Sequence, residues 1–136
     1  MIFHYSHFDK DIIQFLEQRY KLNIISVELG IENFVKEVLK CNYTLSSSLH
    51  GVIISHSYSI KSLPFNLEKK GLNGTFFKFE DYYSCFDLKY KSYFKNDILN
   101  NDNIIQLIKT YNQPKFPINT DKLYNSCPFL KIPNTL

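Results

Sequence analysis

The sequence predicts an α/β domain: a Rossmann-like, mostly parallel sheet with helices on both faces. Three observations carry this. Short apolar runs rich in strand-forming residues alternate with segments of about 10 residues at helical period, the pattern of right-handed crossovers between parallel strands. Of 136 residues, 44% are apolar and 21% charged, which suits one folded core rather than a disordered chain. No internal repeat, charge block or low-complexity stretch divides the chain, so residues 1–136 form one domain, with about 113–136 as a tail that wraps it.

The elements follow in order. Residues 1–5 begin as a short strand. Residues 10–20 place Ile12, Ile13, Phe15, Leu16 and Tyr20 at helical spacing behind Asp9 as N-cap. The apolar run 23–27 is a buried strand, and 31–40 repeats the helical period through Ile31, Phe34, Val35, Val38 and Leu39. A third unit pairs strand 43–46 with helix 49–58. Residues 60–67 form a fourth strand, with Pro64 near an end or edge because proline cannot donate to a ladder. Residues 69–75 hold two of the four glycines and form a loop. A short aromatic helix at 76–86, a last short strand at 90–94 and a helix at 103–111 follow. A brief helix at 121–126 lies within the tail.

Composition excludes several function classes. The net charge of +3 rests on lysines spread along the chain with Arg19 as the single arginine, not on the basic stripe of a nucleic-acid binder. Cys41, Cys85 and Cys127 are odd in number and lack metal-ligand spacing, so reduced thiols in a cytoplasm fit, with neither a disulfide framework nor a zinc site. His56 follows His50 by six residues and shares no helix face with it, so the pair is not a metal site, and His4 and His7 are solvated. No apolar run approaches the roughly 18 residues of a membrane span, so no transmembrane segment is expected.

Chemistry concentrates where strand 43–46 gives way to helix 49–58. In such sheets ligands sit beyond the carboxyl ends of strands. There Ser46, Ser47 and Ser48 place three hydroxyls beside unpaired backbone N–H groups, a setting that attracts phosphate or carboxylate; the serines are also expected to cap the helix. His50, in the first helical turn, supplies a general acid or a positive contact. Gly51 lets a substrate or another backbone approach. Against this stands the plainer reading of a serine-capped helix with a solvated histidine.

The stretch from Ser46 to Ile60, Ser-Ser-Ser-Leu-His-Gly-Val-Ile-Ile-Ser-His-Ser-Tyr-Ser-Ile, closely resembles the signature of the polysaccharide pyruvyl transferases. A second element, Phe77-Lys78-Phe79-Glu80-Asp81-Tyr82-Tyr83-Ser84, is similar to that family's Lys-Phe-x-Asp-Tyr-Tyr, and Ser126-Cys127-Pro128-Phe129 is similar to its closing motif. The resemblance spans roughly 24–129. Two departures stand out: Ser48 where some members carry an arginine, and Ser59 where glycine is common.

The resemblance implies the carboxyl-terminal half of a GT-B-like fold. It implies pyruvyl transfer from phosphoenolpyruvate to two sugar hydroxyls as a ketal in cell-surface polysaccharide biosynthesis. Phosphoenolpyruvate is then the donor substrate and no cofactor is required. His50 would be the acid or a phosphate contact, with Ser46, Ser47, Ser48, Leu49 and Gly51 around the donor. Lys78 would neutralise donor charge, Asp81 would position a sugar hydroxyl or Lys78, and Tyr82 would stack on a sugar face, with one of Tyr82 and Tyr83 in the core. Partners would be a carbohydrate or lipid-linked sugar acceptor and either a separate amino-terminal half or a second copy. The setting would be cytoplasmic, at most peripheral to the inner membrane face. Alternatives are a nucleotide-sugar-dependent glycosyltransferase module, with Asp81 or Glu80 on the ribose, and a non-catalytic interaction domain.

Overall fold

The computed structural model describes residues 1–3, 9–67 and 75–115. Most of the expected glycine loop, the closing Cys-Pro-Phe motif and the helix at 121–126 lie outside the described residues, as do His4, His7 and Cys127. Four strands, β1 (Ile2–Phe3), β2 (Ile25–Ser26), β3 (Tyr43–Ser46) and β4 (Lys61–Pro64), form one sheet in the order β2-β1-β3-β4. Every pairing is parallel: Ile2 faces Ile25 on one side and Ser46 on the other, and Tyr43 to Ser46 run beside Lys61 to Pro64. Among the described residues six helices accompany them: α1 (Lys10–Glu17), α2 (Ile31–Leu39), α3 (Leu49–Ser57), α4 (Thr75–Ser84), α5 (Lys95–Leu99) and α6 (Ile104–Thr110).

Strand alternation divides the core in two. Side chains alternate across a sheet, so Met1, Leu45 and Leu63 join one cluster with Ile12 and Leu16 of α1, Ile98 of α5 and Ile104 and Ile108 of α6. Ile2 and Ile25 join a second with Phe34 and Val38 of α2. Thr44 and Ser46, which point away from the first cluster, meet α3 instead. Thr44 Oγ1 donates to Ser55 Oγ (2.8 Å), which donates to the Gly51 carbonyl (2.7 Å). Small side chains let α3 lie close on the sheet. A Cβ on Gly51 would sit 2.5 Å from Ser46 Oγ and 2.8 Å from Ile2 Cγ2.

Helix ends follow their sequence signals where a side chain can reach. Asp9 caps α1 by accepting from the Asp11 and Ile12 N–H groups, both at 3.1 Å. Lys95, at the start of α5, bonds Asp9 (2.8 Å) and Asp11 (2.6 Å) and ties the two helices together. At the far end of α3, Ser59 N–H bonds the His56 carbonyl (2.9 Å) and Ile60 N–H bonds the Ser55 carbonyl (2.8 Å). These two bonds form a Schellman motif, completed by Ile54 and Ile60 packing on the same core cluster. The motif needs a left-handed residue, and Ser59 supplies it at φ 59°. That is the position where the resembled family commonly has glycine.

Three expectations are corrected. The run 23–27 contributes only Ile25 and Ser26 to the sheet. Residues 90–94 are not a strand: only Phe94 bridges Asn66. There Tyr90 stacks on Phe79 (5.3 Å between centroids), and the Phe94 N–H is taken by the Asp97 carboxylate (2.8 Å), which opens α5 instead of extending a ladder. Finally, Ser48 is the N-cap residue of α3 but its hydroxyl does not cap the helix. Ser46 uses its hydroxyl within the turn, donating to the Ser48 carbonyl (2.8 Å) and accepting from the Ser48 N–H (3.1 Å).

Candidate active site

The chain passes from β1 to β2 on one side and then to β3 on the other, so the strand order reverses between β1 and β3. Such a switch point opens a crevice at the carboxyl ends of the two strands. Ser46 ends β3 there, and Ser47 N–H bonds the Ile2 carbonyl (3.0 Å), carrying the pairing with β1 one residue further. The turn then delivers Ser48, Leu49 and His50 into the first turn of α3.

Within this turn the residues divide by exposure. Ser46, Ser47 and Ser48 are buried; Leu49 is half-buried against the first core cluster; His50 is exposed. Gly51 is buried between Ser46 and Ile2, which makes it the contact that seats α3 on the sheet. No carboxylate occupies the first turn of α3, and the side chain of its N-cap residue Ser48 makes no capping bond. In contrast, α1 carries the Asp9 cap and α6 the Asn103 cap, which accepts from the Gln106 N–H at 2.9 Å. The positive dipole end of α3 therefore opens on a turn in which the Ser48 N–H bonds Ser46 Oγ and, among the described residues, the first helical turn carries no acidic side chain.

On α4, Lys78 and Asp81 are both exposed, and no ion pair joins them. Tyr83 is the core residue of the Tyr82–Tyr83 pair, fully buried against Tyr82 and Tyr111. Tyr82 is half-buried, with its ring stacked on His56 at 5.9 Å and its hydroxyl on His56 Nδ1 at 3.0 Å. Lys78 precedes Tyr82 by one helical turn on the same face of α4.

Sequence reasoning gave His56 no role, yet it is the centre of the best-connected polar network. Gln113 Oε1 accepts from the Ser62 N–H (2.9 Å), and Gln113 Nε2 donates to the Ile108 carbonyl (3.0 Å). The amide orientation is therefore fixed, and His56 Nε2 must be the donor in its 2.8 Å bond to Gln113 Oε1. Nδ1 is then the acceptor for Tyr82. Burial, only partly offset by Gln113 and Ser62, lowers the His56 pKa to about 4, which keeps the ring neutral. Burial likewise raises Tyr82 to about 12, so its hydroxyl stays protonated. His56 thus clamps α3, α4, β4 and the residues after α6; no local pattern around His56 or Gln113 signals this, because the partners lie 26 and 57 residues away.

A model of the family described as polysaccharide pyruvyl transferase matches residues 1–69 of the 136, just over half of the chain. The chain belongs to the polysaccharide pyruvyl transferase family. The matched region holds the whole unit from β1 to β4 with the turn at Ser46 to Gly51 and the left-handed Ser59; it stops before the α4 element with Lys78, Asp81 and Tyr82. No curated protein and no solved structure matches the chain. Membership in a pyruvyl transferase family makes a transferase of polysaccharide chemistry the general function. Among the described residues no helix is long and apolar enough to cross a membrane, and no group of three or more His, Cys, Asp or Glu is placed to hold a metal ion.

Proposed function

We propose that this chain carries the donor end of a ketal-forming pyruvyl transferase. The observation that supports it most directly is the α3 amino terminus at the sheet's switch point, with no acidic residue in its first turn and no capping bond from Ser48, beside an exposed His50. The phosphate of phosphoenolpyruvate sits at the positive amino end of α3, on the N–H groups of its first helical turn. His50 protonates the methylene carbon of the enol or contacts the phosphate.

The chemistry balances without a cofactor. One sugar hydroxyl adds to the central enol carbon and gives up its proton, while a proton is added to the methylene carbon. Phosphate then leaves with its bonding electron pair, and the neighbouring hydroxyl adds to the resulting cation and gives up its proton to close the ketal. Lys78 neutralises donor charge and Asp81 orients an acceptor hydroxyl in this reading. The acceptor itself needs a second surface facing His50, from a further domain or a separate chain. The setting is the cytoplasm, where phosphoenolpyruvate is a metabolite.

Thermal unfolding with and without phosphoenolpyruvate, and with inorganic phosphate, tests the reading. A ligand present at about ten times Kd that binds only the folded chain raises the midpoint by roughly 5 °C. The expected result is a rise with phosphoenolpyruvate that His50→Ala removes while the unliganded midpoint holds. No rise with either anion would move the function to a nucleotide-sugar transferase module, tested with nucleoside diphosphates, or to a non-catalytic module.

A further inference from the structure

Among the described residues six large apolar side chains are exposed: Ile24, Leu29, Ile31, Leu39, Tyr58 and Phe77. Three of these, Leu29, Ile31 and Leu39, lie on α2 or in the segment that leads into it, Ile24 lies just before β2, and Ile31 is 82% exposed. Ile24, Leu29 and Leu39 also line a shallow groove of about 580 Å³ along α2, together with Asn33, Lys36, Glu37 and Lys40. Single exposed apolar residues need no explanation, but a contiguous group of them marks a contact surface.

The pattern along α2 states what covers it. Ile31, Val35 and Leu39 recur every fourth residue and form one apolar stripe; Glu32, Lys36 and Lys40 form the next stripe round the helix. Phe34 and Val38 face the core, so both stripes lie off the buried face. The charged stripe is acidic at the amino end and basic at the carboxyl end. Lys36 and Glu32 make no ion pair among the described residues, and Lys40 reaches only Glu37 of its own helix.

This arrangement is complementary to itself. When two α2 helices cross antiparallel about a two-fold axis at Val35, Ile31 of each meets Leu39 of the other. Glu32 then lies between Lys36 and Lys40 of the partner, twice over. A closed, isologous contact requires a patch that matches its own inverted copy, and a helix with opposite charge at its two ends supplies that. Antiparallel helix dipoles add in the same sense. We infer that the outer face of α2 is a homodimer surface, which pairs two copies through the Ile31–Val35–Leu39 stripe and the flanking Glu32 to Lys36 and Lys40 contacts. The surface is separate from the turn at Ser46 to Gly51, so the inference stands or falls independently of the donor assignment.

Analytical ultracentrifugation of the full chain over a micromolar concentration series measures it. The wild-type chain should show a concentration-dependent monomer–dimer equilibrium. Glu32→Lys makes the charged stripe wholly basic, and Lys36→Glu with Lys40→Glu makes it wholly acidic. Each variant should dimerise at least about tenfold more weakly, since like charges are then opposed. Mixing the two should restore association as a heterodimer, a rescue that simple misfolding cannot produce. A wild-type chain that stays monomeric throughout the series, or a dimer that both variants leave unchanged, overturns the inference; the first outcome would also arise if another segment of the chain covered α2.

Discussion

At the scale of single residues, three side chains show how tertiary position sets behaviour. Ser59 sits at φ 59° to close α3, and a left-handed residue with a Cβ costs roughly 1–2 kcal/mol. Glycine removes that cost and returns part of it as unfolded-state entropy. Ser59→Gly should therefore stabilise the fold by about 0.5–1 kcal/mol in urea titration. Gly51 behaves in the opposite way. Alanine is the better helix former by about 1 kcal/mol, yet its Cβ would strike Ser46 Oγ at 2.5 Å and Ile2 on the sheet. Gly51→Ala should destabilise by about 1–3 kcal/mol, and an unchanged unfolding midpoint would mean that α3 does not seat on the sheet through this residue.

His56 connects residue chemistry to pH. The unfolded histidine takes up a proton near pH 6.5, whereas the buried ring accepts one only at about 4. Its contribution is fully present above 6.5 and is lost as pH falls through that interval, because the unfolded chain binds the proton first. The loss amounts to at most about 3 kcal/mol. Urea unfolding at pH 7.5 and at pH 4.5 should differ less for His56→Gln than for the wild-type chain by a substantial part of that amount. Equal differences in the two proteins would show that the ring titrates freely.

At the scale of elements, the helices with strong apolar period and polar capping signals were legible. The helix after Asp9 and the helix at 31–40 appear within a few residues of their expected bounds, because helical period and, for the first, the Asp9 cap are local properties. Strand length was legible for 43–46, which is β3, but not for the other runs. Residues 23–27 are apolar enough for a full strand, but a neighbour only two residues long limits β2 to two residues. Residues 90–94 have strand-forming side chains, but these are packed in an aromatic cluster with Phe79, Tyr83 and Tyr111. Asp9 links this scale to the next, since it caps α1 and also pairs with Lys95 of α5. Asp9→Ala should cost about 1 kcal/mol, most of it from the lost cap rather than the partly exposed ion pair. Lys95→Met should cost less than half of that in the same titration.

At the scale of the whole molecule, the strand order matters most. Sequence alone gives alternating strands and helices and places the turn at Ser46 to Gly51 between one strand and the next helix. Only the order β2-β1-β3-β4 puts that turn at the crevice where the sheet reverses. If the crevice is the donor site, a variant of Ser46 should alter anion binding through the turn it braces, since its hydroxyl holds both backbone groups of Ser48. Ser46→Ala should weaken any phosphoenolpyruvate-dependent rise in unfolding midpoint while Lys61→Ala, an exposed change on β4, leaves it intact.

The sequence by itself determined the α/β class, the Asp9-capped first helix and the family's motif at Ser46 to Gly51, because helical period, that cap and the motif residues are all written within a few positions of one another. The tertiary structure alone decided which serine braces the turn, that Gly51 is a packing contact, and that His56 is a neutral clamp joined to Tyr82 and Gln113. Those roles depend on burial and on partners far apart in the chain, and neither quantity is carried by local sequence.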